Sequence, residues 1–187
     1  MSSEASSHFA AFLASLGVDV KADPEMAETA NRFTKLMRER LAVAPSTVEL
    51  RPIEREPHEG AAQVVIVRDI PLRALCLHHL MPFVGEVQIA FLPHRKMTGF
   101  GSLVRLVESM STGPQLQERL TDRLAEEVMR QLEPVWVAVS ISALQTCVEM
   151  SGSGRRPRTV TMSTLGATSP EAAWAFVQRA PGSEPAA

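Results

Sequence analysis

The chain has only two cysteines, Cys76 and Cys147, among 187 residues. So few thiols exclude the disulfide framework of a small secreted domain. In a reducing compartment, two distant thiols are usually free core residues or metal ligands, and composition alone favours the core. Charge of one sign is equally scarce: 19 Lys and Arg against 21 Asp and Glu leave a net charge of −2. That balance does not make a surface for nucleic acid or anionic lipid. Long apolar runs are also missing, since no stretch reaches the roughly 18 residues of a membrane span. The apolar segment from Phe9 to Val18 follows Glu4 and no basic residue, which makes a poor signal peptide. The expectation is a cytoplasmic protein with neither a nucleic-acid nor a membrane partner. No internal repeat is visible.

What is present is a hydrophobic fraction of 45%, enough for one domain, or one domain with a helical arm. Residues 1–20 and 24–43 read as two helices around a break at Gly17 to Pro24. The second carries Ala30, Phe33, Leu36, Met37 and Leu41 at helical spacing. A polar, proline-containing loop follows over roughly 44–60. Gln63–Ile70, rich in Val and Ile, and Val84–Leu92, with Val87, Ile89 and Phe91 on one face, read as strands. Two helices come next. One carries Leu103, Leu106, Val107 and Met110 up to a break at Gly113. The other opens with Pro114 in its first turn and stacks Leu116, Leu120, Leu124, Val128 and Leu132 four apart. Val135–Val148 and Arg158–Leu165 read as two more strands, joined by the turn Ser151 to Pro157.

The order strand, strand, helix, helix, strand, strand implies an α+β fold, with a four-stranded antiparallel sheet carrying two helices on one face. Its exposed edges need covering, and closing a barrel by oligomerisation is one way to do so. After Pro170 we expect one short helix and a flexible end. The resulting division is a helical arm and loop over 1–60, an α+β domain over 61–168, and a helix and tail over 169–187.

The segment with most chemistry is Cys76-Leu77-His78-His79, between the first two strands. Thiolate and imidazole are the preferred zinc donors, and a catalytic zinc takes three protein ligands and leaves one position to water. One Cys and one His need a third ligand, and Cys147 is the other cysteine. The spare histidine would then serve as acid or base. The same residues also suit a pair of ordinary histidines beside an unrelated buried thiol.

The neighbouring residues weigh on that choice. Val67-Arg68-Asp69-Ile70 and Leu75-Cys76-Leu77-His78-His79-Leu80-Met81-Pro82-Phe83-Val84-Gly85 resemble the signature of GTP cyclohydrolase I. So do Gly99-Phe100, Gln115-Leu116-Gln117-Glu118-Arg119-Leu120, and Thr159-Val160-Thr161 to Leu165-Gly166. The resemblance runs over nearly the whole chain and includes the N-terminal helix pair. It implies the tunnelling fold, whose units assemble into toroidal β-barrels (usually homodecamers, with an octamer-like toroid as a variant) with active sites at subunit interfaces. It also implies a Zn2+ cofactor and a small-molecule purine substrate. Carried over residue by residue, it implies Cys76, His79 and Cys147 as zinc ligands and His78 as the residue that protonates the purine N7. Glu118 would grip the guanine edge, with Gln117 beside it in the same motif, and Arg105 would lie near a triphosphate.

Departures from the family pattern fall at functional positions. A second essential histidine is replaced by Gln145, which cannot shuttle a proton near neutral pH. A phosphate-binding Ser-Lys pair is Gly101-Ser102, a triphosphate-gripping arginine is Ser151, and a glutamate inside the Cys-x-His-His motif is Leu77. Arg155, Arg156 and Arg158 cluster in the turn after Ser151, either as a rebuilt anion site or as a solvated hairpin turn. The sequence thus leads to a zinc hydrolase opening a guanine-type purine at C8, with or without formate release, on a substrate with fewer phosphates than GTP or none. Its main alternative is a non-catalytic purine- or pterin-binding or regulatory member with structural zinc; a zinc-free nitrile reductase fits less well, given the Cys-x-His-His cluster.

Overall fold

The computed structural model describes residues 4–42, 48–54, 63–152 and 158–168, together with Ala175. The chain divides into two compact units, Met1–Val43 and Ala44–Ala187. In the first, α1 (Glu4–Ser15) and α2 (Thr29–Leu41) flank a 3-10 turn over Pro24–Met26. Gly17, at φ +84°, ends the first helical segment. Asp23 accepts from Glu25 N at 2.9 Å to cap the 3-10 turn. The two helices meet where the Phe9 and Phe33 rings stack at 4.0 Å and Ser6 bonds Thr34 at 2.9 Å. The second helix therefore begins five residues later than the periodicity suggests, after a proline-led turn.

The second unit contains β1 (Ile53–Glu54), β2 (Val65–Cys76), β3 (Pro82–Leu92), β4 (Lys96–Met97), α3 (Phe100–Met110), β5 (Pro114–Gln115), α4 (Gln117–Leu132), β6 (Trp136–Gln145), α5 (Thr146–Met150) and β7 (Arg158–Gly166). The main sheet has the order β5-β2-β3-β6-β7, and every pairing is antiparallel except the two-residue β5 beside β2. This is the expected α+β arrangement of four antiparallel strands, with a short parallel fifth. Pro114 belongs to that fifth strand and not to a helical first turn.

One face of the sheet is sealed by α3 and α4. Phe83, Val87, Ile89 and Phe91 of β3 and Val137, Val139 and Ile141 of β6 pack with Leu103, Leu106, Leu120, Leu124, Val128 and Leu132. At about 25 cal/mol per Å2 of apolar area, such side chains contribute roughly 1.5–3 kcal/mol each on full burial. Leu50, within the stretch read as a polar loop, is also fully buried, its N–H donating to Gln131 Oε1 at 2.6 Å. Arg155 and Arg156, and the helix and tail expected after Pro170 (Ala175 apart), lie outside the described residues.

Two strand ends differ from the sequence reading, and both matter to the site. Strand β2 runs on past Ile70 to Cys76, through a bulge between Val67 and Ile70 where Asp69 has φ +55°. Strand β6 stops at Gln145, so Cys147 lies on the short helix α5 and not on a strand.

Candidate metal centre and active site

The β2–β3 hairpin closes through the four residues that follow Cys76. Cys76 N donates to Met81 O, and Leu80 N to Cys76 O, both at 2.8 Å. Leu80 takes the left-handed conformation, φ +52°, costly for a side chain without a local hydrogen bond. Leu77 N donates to Gln115 O at 2.8 Å, which ties the turn to β5, where Gln115 pairs with Cys76. The turn thus buries Cys76 and leaves His78 and His79 exposed, their rings edge-on at 6.3 Å.

The second half of the site comes from β6. Its register sets Gln145 opposite Phe83 at the start of β3, so the chain leaving β6 emerges beside the hairpin turn. Thr146 Oγ1 donates to Pro82 O at 2.5 Å and anchors the first residue of α5 there. Close approach of the two strands is possible because residue 85 is glycine. A Cβ at Gly85 would lie 2.0 Å from Ser142 O and 2.6 Å from Ala143 Cα.

These two turns converge. The sulfurs of Cys76 and Cys147 and a ring nitrogen of His79 all lie within 4.8 Å of one another. Among the described residues this is the group of three or more potential donors compact enough for one ion. Two thiolates and one imidazole fit zinc in type and number and leave a fourth position open. The donors range from buried Cys76 to exposed His79, so the centre opens to solvent.

The remaining candidates are placed as follows. Glu118 is exposed in the first turn of α4, three residues beyond Gln115, and has no ion pair among the described residues. Gln117 is buried and its Nε2 reaches Thr159 O at 2.9 Å and Ile141 O at 3.1 Å. Gln145 Nε2 donates to Gln117 Oε1 at 2.7 Å. On α3, Arg105 Nη2 donates to Ser102 Oγ at 2.9 Å, joining two of the candidates within one helical turn. Ser151 Oγ donates to Val148 O at 2.7 Å and caps α5. Arg158 is exposed, with Nη1 3.4 Å from Ser142 Oγ. Leu77 is 45% exposed on the hairpin turn.

Sequence reasoning did not single out Gln115, Thr146 or Gly85 for these supporting roles. The role of the first is carried by its backbone carbonyl, while its amide turns to Thr112 O and Arg123. The other two depend on pairing across strands, which no local pattern reports.

The family model for GTP cyclohydrolase I matches residues 5–178 of this chain. The chain is similar to GTP cyclohydrolase 1 of Hydrogenobaculum sp., 43% identical over 59% of this chain and 62% of that one. It is 43% identical to GTP cyclohydrolase 1 of Pelotomaculum thermopropionicum over 63% of this chain and 62% of the relative. That of Thermoanaerobacter pseudethanolicus is 34% identical over 77% and 79%. The matched region spans about 62% of the length of the first two relatives. A solved structure, archaeosine synthase QueF-Like in the apo form, overlaps with TM-score 0.45 at 18% identity, over 56% of this chain and 96% of that one. The overlap is too slight to bear on function. With the family model running from the first helix to beyond the last strand, the chain belongs to the GTP cyclohydrolase I family.

Proposed function

We propose that the chain is a zinc-dependent hydrolase that opens the imidazole ring of a guanine-type purine at C8, on a substrate with fewer phosphates than GTP or none. The observation that carries this reading is the meeting of Cys76, His79 and Cys147 within 4.8 Å, from two separate turns. Zinc held by these residues supplies Lewis acidity and a reactive solvent molecule near neutral pH. His78, adjoining the ligand His79, holds a proton for the purine N7; imidazole is the side chain suited to that exchange near neutrality. Glu118, free of ion pairs among the described residues, accepts two parallel N–H bonds from the guanine edge, a strong and directional pairing. Gln117 and Gln145 join the start of α4 to the end of β6, two positions before Cys147.

The smaller substrate follows from the cations that are missing. Ser102 and Ser151 stand at phosphate-binding positions, and each hydroxyl already has an internal partner. Hydrogen bonds to charged groups contribute about 1.5–3 kcal/mol each, so two lost anchors weaken triphosphate binding about 10²–10⁴-fold. Arg105 and Arg158 are left to meet a smaller anion or a hydroxyl. With Gln145 in place of a proton-carrying histidine, the reaction stops at the ring-opened formamide or after formate loss. The sheet edges at β7 and along most of β2 have no strand partner among the described residues. Such edges favour assembly into the homo-oligomeric tunnelling-fold toroid.

Incubating the zinc-loaded protein with GTP, GMP, guanosine and guanine tests the reading by absorbance and mass. Ring opening of at least one purine is expected, with the less phosphorylated compounds preferred. No ring opening of any of them sinks it, and a neopterin-type product from GTP would overturn the role given to Gln145.

A further inference from the structure

Gln117 and Gln145 link the start of α4 to the strand end that leads into Cys147. Gln117 is only 4% exposed. Its Nε2 faces two backbone carbonyls, Ile141 O at 3.1 Å and Thr159 O at 2.9 Å, and lies 3.2 Å from Thr161 Oγ1. Carbonyls only accept, so the amide end facing them is the NH2. The Oε1 of Gln117 is therefore turned to Gln145, 2.7 Å from its Nε2. That acceptor in turn requires the NH2 end of Gln145, since two amide oxygens at such a distance repel. The orientation of both amides follows from the two fixed carbonyls, by the network logic through which glutamine ends are assigned. The Oε1 of Gln145 has no hydrogen-bond partner among the described residues. Only Thr146 separates Gln145 from Cys147, so the two Cα atoms lie no more than about 7.6 Å apart.

We propose that Gln117 is a positioning residue that fixes the amide polarity of Gln145, so that position 145 offers an acceptor oxygen to an O–H or N–H of the bound molecule. The inference rests on the ring-opening reading and deepens it. The group received at this point carries a proton to donate, as a free hydroxyl or amine of a nucleoside does. A phosphate oxygen, which only accepts, would meet Gln145 Oε1 unfavourably. This preference points the same way as the loss of the cationic anchors.

Two measurements test it. Neutron diffraction from crystals of the deuterated protein shows amide deuterons directly; the ND2 group of Gln145 is expected against Gln117 Oε1. A Gln145 oxygen facing Gln117 overturns the proposal. Calorimetric binding of guanosine to the zinc-loaded protein then reads the cycle of Gln117→Met and Gln145→Ala. Gln117→Met is expected to weaken binding about 10-fold in the parent and less than about twofold when residue 145 is already Ala. Equal losses in both backgrounds make Gln117 a mere brace, which overturns its positioning role; thermal melting follows the bracing separately. A parent protein that neither binds nor opens any purine sinks the ring-opening reading alone, because the neutron map still decides the polarity of Gln145.

Discussion

The turn after β2 and the turn after β6 deliver sulfur to the same point by different means. The first is held by backbone: Cys76, Leu77 and Leu80 N–H groups each make a 2.8 Å bond within the turn or to β5. It keeps every residue of the Cys-x-His-His-x-x-Pro-Phe pattern. The second is a five-residue helix fastened by the Thr146 hydroxyl and a 3.3 Å bond from Ser151 N to Val148 O. Gln145 and Ser151, two of the departures from the family pattern, lie in or next to it. The contrast separates two tasks. Under the proposed function, holding the ion falls to a backbone-held turn that keeps its Cys and His donors, with Leu77 its one departure, while handling the substrate falls largely to a turn whose side chains have changed.

The most damaging way to break this picture is to remove the sulfur of the second turn. Cys147→Ala leaves the first turn whole but deprives the cluster of one of its three donors. Zinc content of the purified protein should collapse, and ring-opening activity should fall further than the 10–100-fold typical of changes to residues behind the ligands. Elemental analysis reads the first and turnover the second. Full zinc in this variant would mean that the two turns do not share one ion.

Next in size is the joint between the turns. Gly85 of β3 faces Ala143 of β6, and an added Cβ would lie 2.0 Å from a backbone oxygen that cannot swing away. Gly85→Ala should cost about 1–3 kcal/mol or more in stability, as overpacking does, and should weaken zinc retention by spreading Cys147 away from Cys76. Denaturant unfolding and metal analysis check both effects. Loss of stability with normal zinc affinity would show that the second turn finds the ion without help from the strand register.

How far the sequence foretold this arrangement follows from the range of each interaction. The α4 stripe of Leu120, Leu124, Val128 and Leu132 is periodic, and all four are fully buried. The site residues were legible through a resemblance, not through spacing, since Cys76 and Cys147 are 71 positions apart (147 minus 76). Strand β2 looked finished at Ile70 because Asp69 and Pro71 are poor strand residues. A bulge absorbs the first, and Pro71 is tolerated where one edge of β2 lacks a partner strand among the described residues. A five-residue helix such as α5 is too short to announce itself by period. The pairing of Gln115 with Cys76 and the burial of Leu50 depend on residues distant in sequence.

The comparison can be sharpened by returning the second turn to the family pattern. Gln145→His restores an imidazole that can carry a proton and can still donate to Gln117 Oε1, while Ser151→Arg restores a cation. GTP affinity should rise about 10–100-fold from the arginine, at roughly 1.5–3 kcal/mol for a charge-assisted contact. The histidine should carry the reaction past the ring-opened product toward a neopterin-type one. Chromatography of products and GTP titration measure these changes. An unchanged product with Gln145→His would place the block to further reaction elsewhere.

The smallest expected effect concerns the C-terminal half of α4. Glu127 accepts from Arg130 Nε at 3.0 Å and Nη2 at 2.5 Å, and from Gln131 Nε2 at 2.6 Å. The Arg130 hydrogen bond, with help from Gln131 and against partial desolvation, holds its carboxyl below the ordinary carboxylate range. A carboxyl whose folded pKa is depressed contributes stability above its unfolded value, about 4.3, and loses it as pH falls through the folded one. Melting temperature should therefore drop more steeply for the parent than for Glu127→Gln as pH falls below about 4.3. Acid also strips a zinc centre of its ligands, but that loss is common to both proteins, so their difference isolates the pair. The effect should be modest because the Arg130 side chain is 62% exposed, and pairs so open to water are worth little. Parallel curves would mean that α4 is held by its apolar face alone and that acid reaches the site only through the turns.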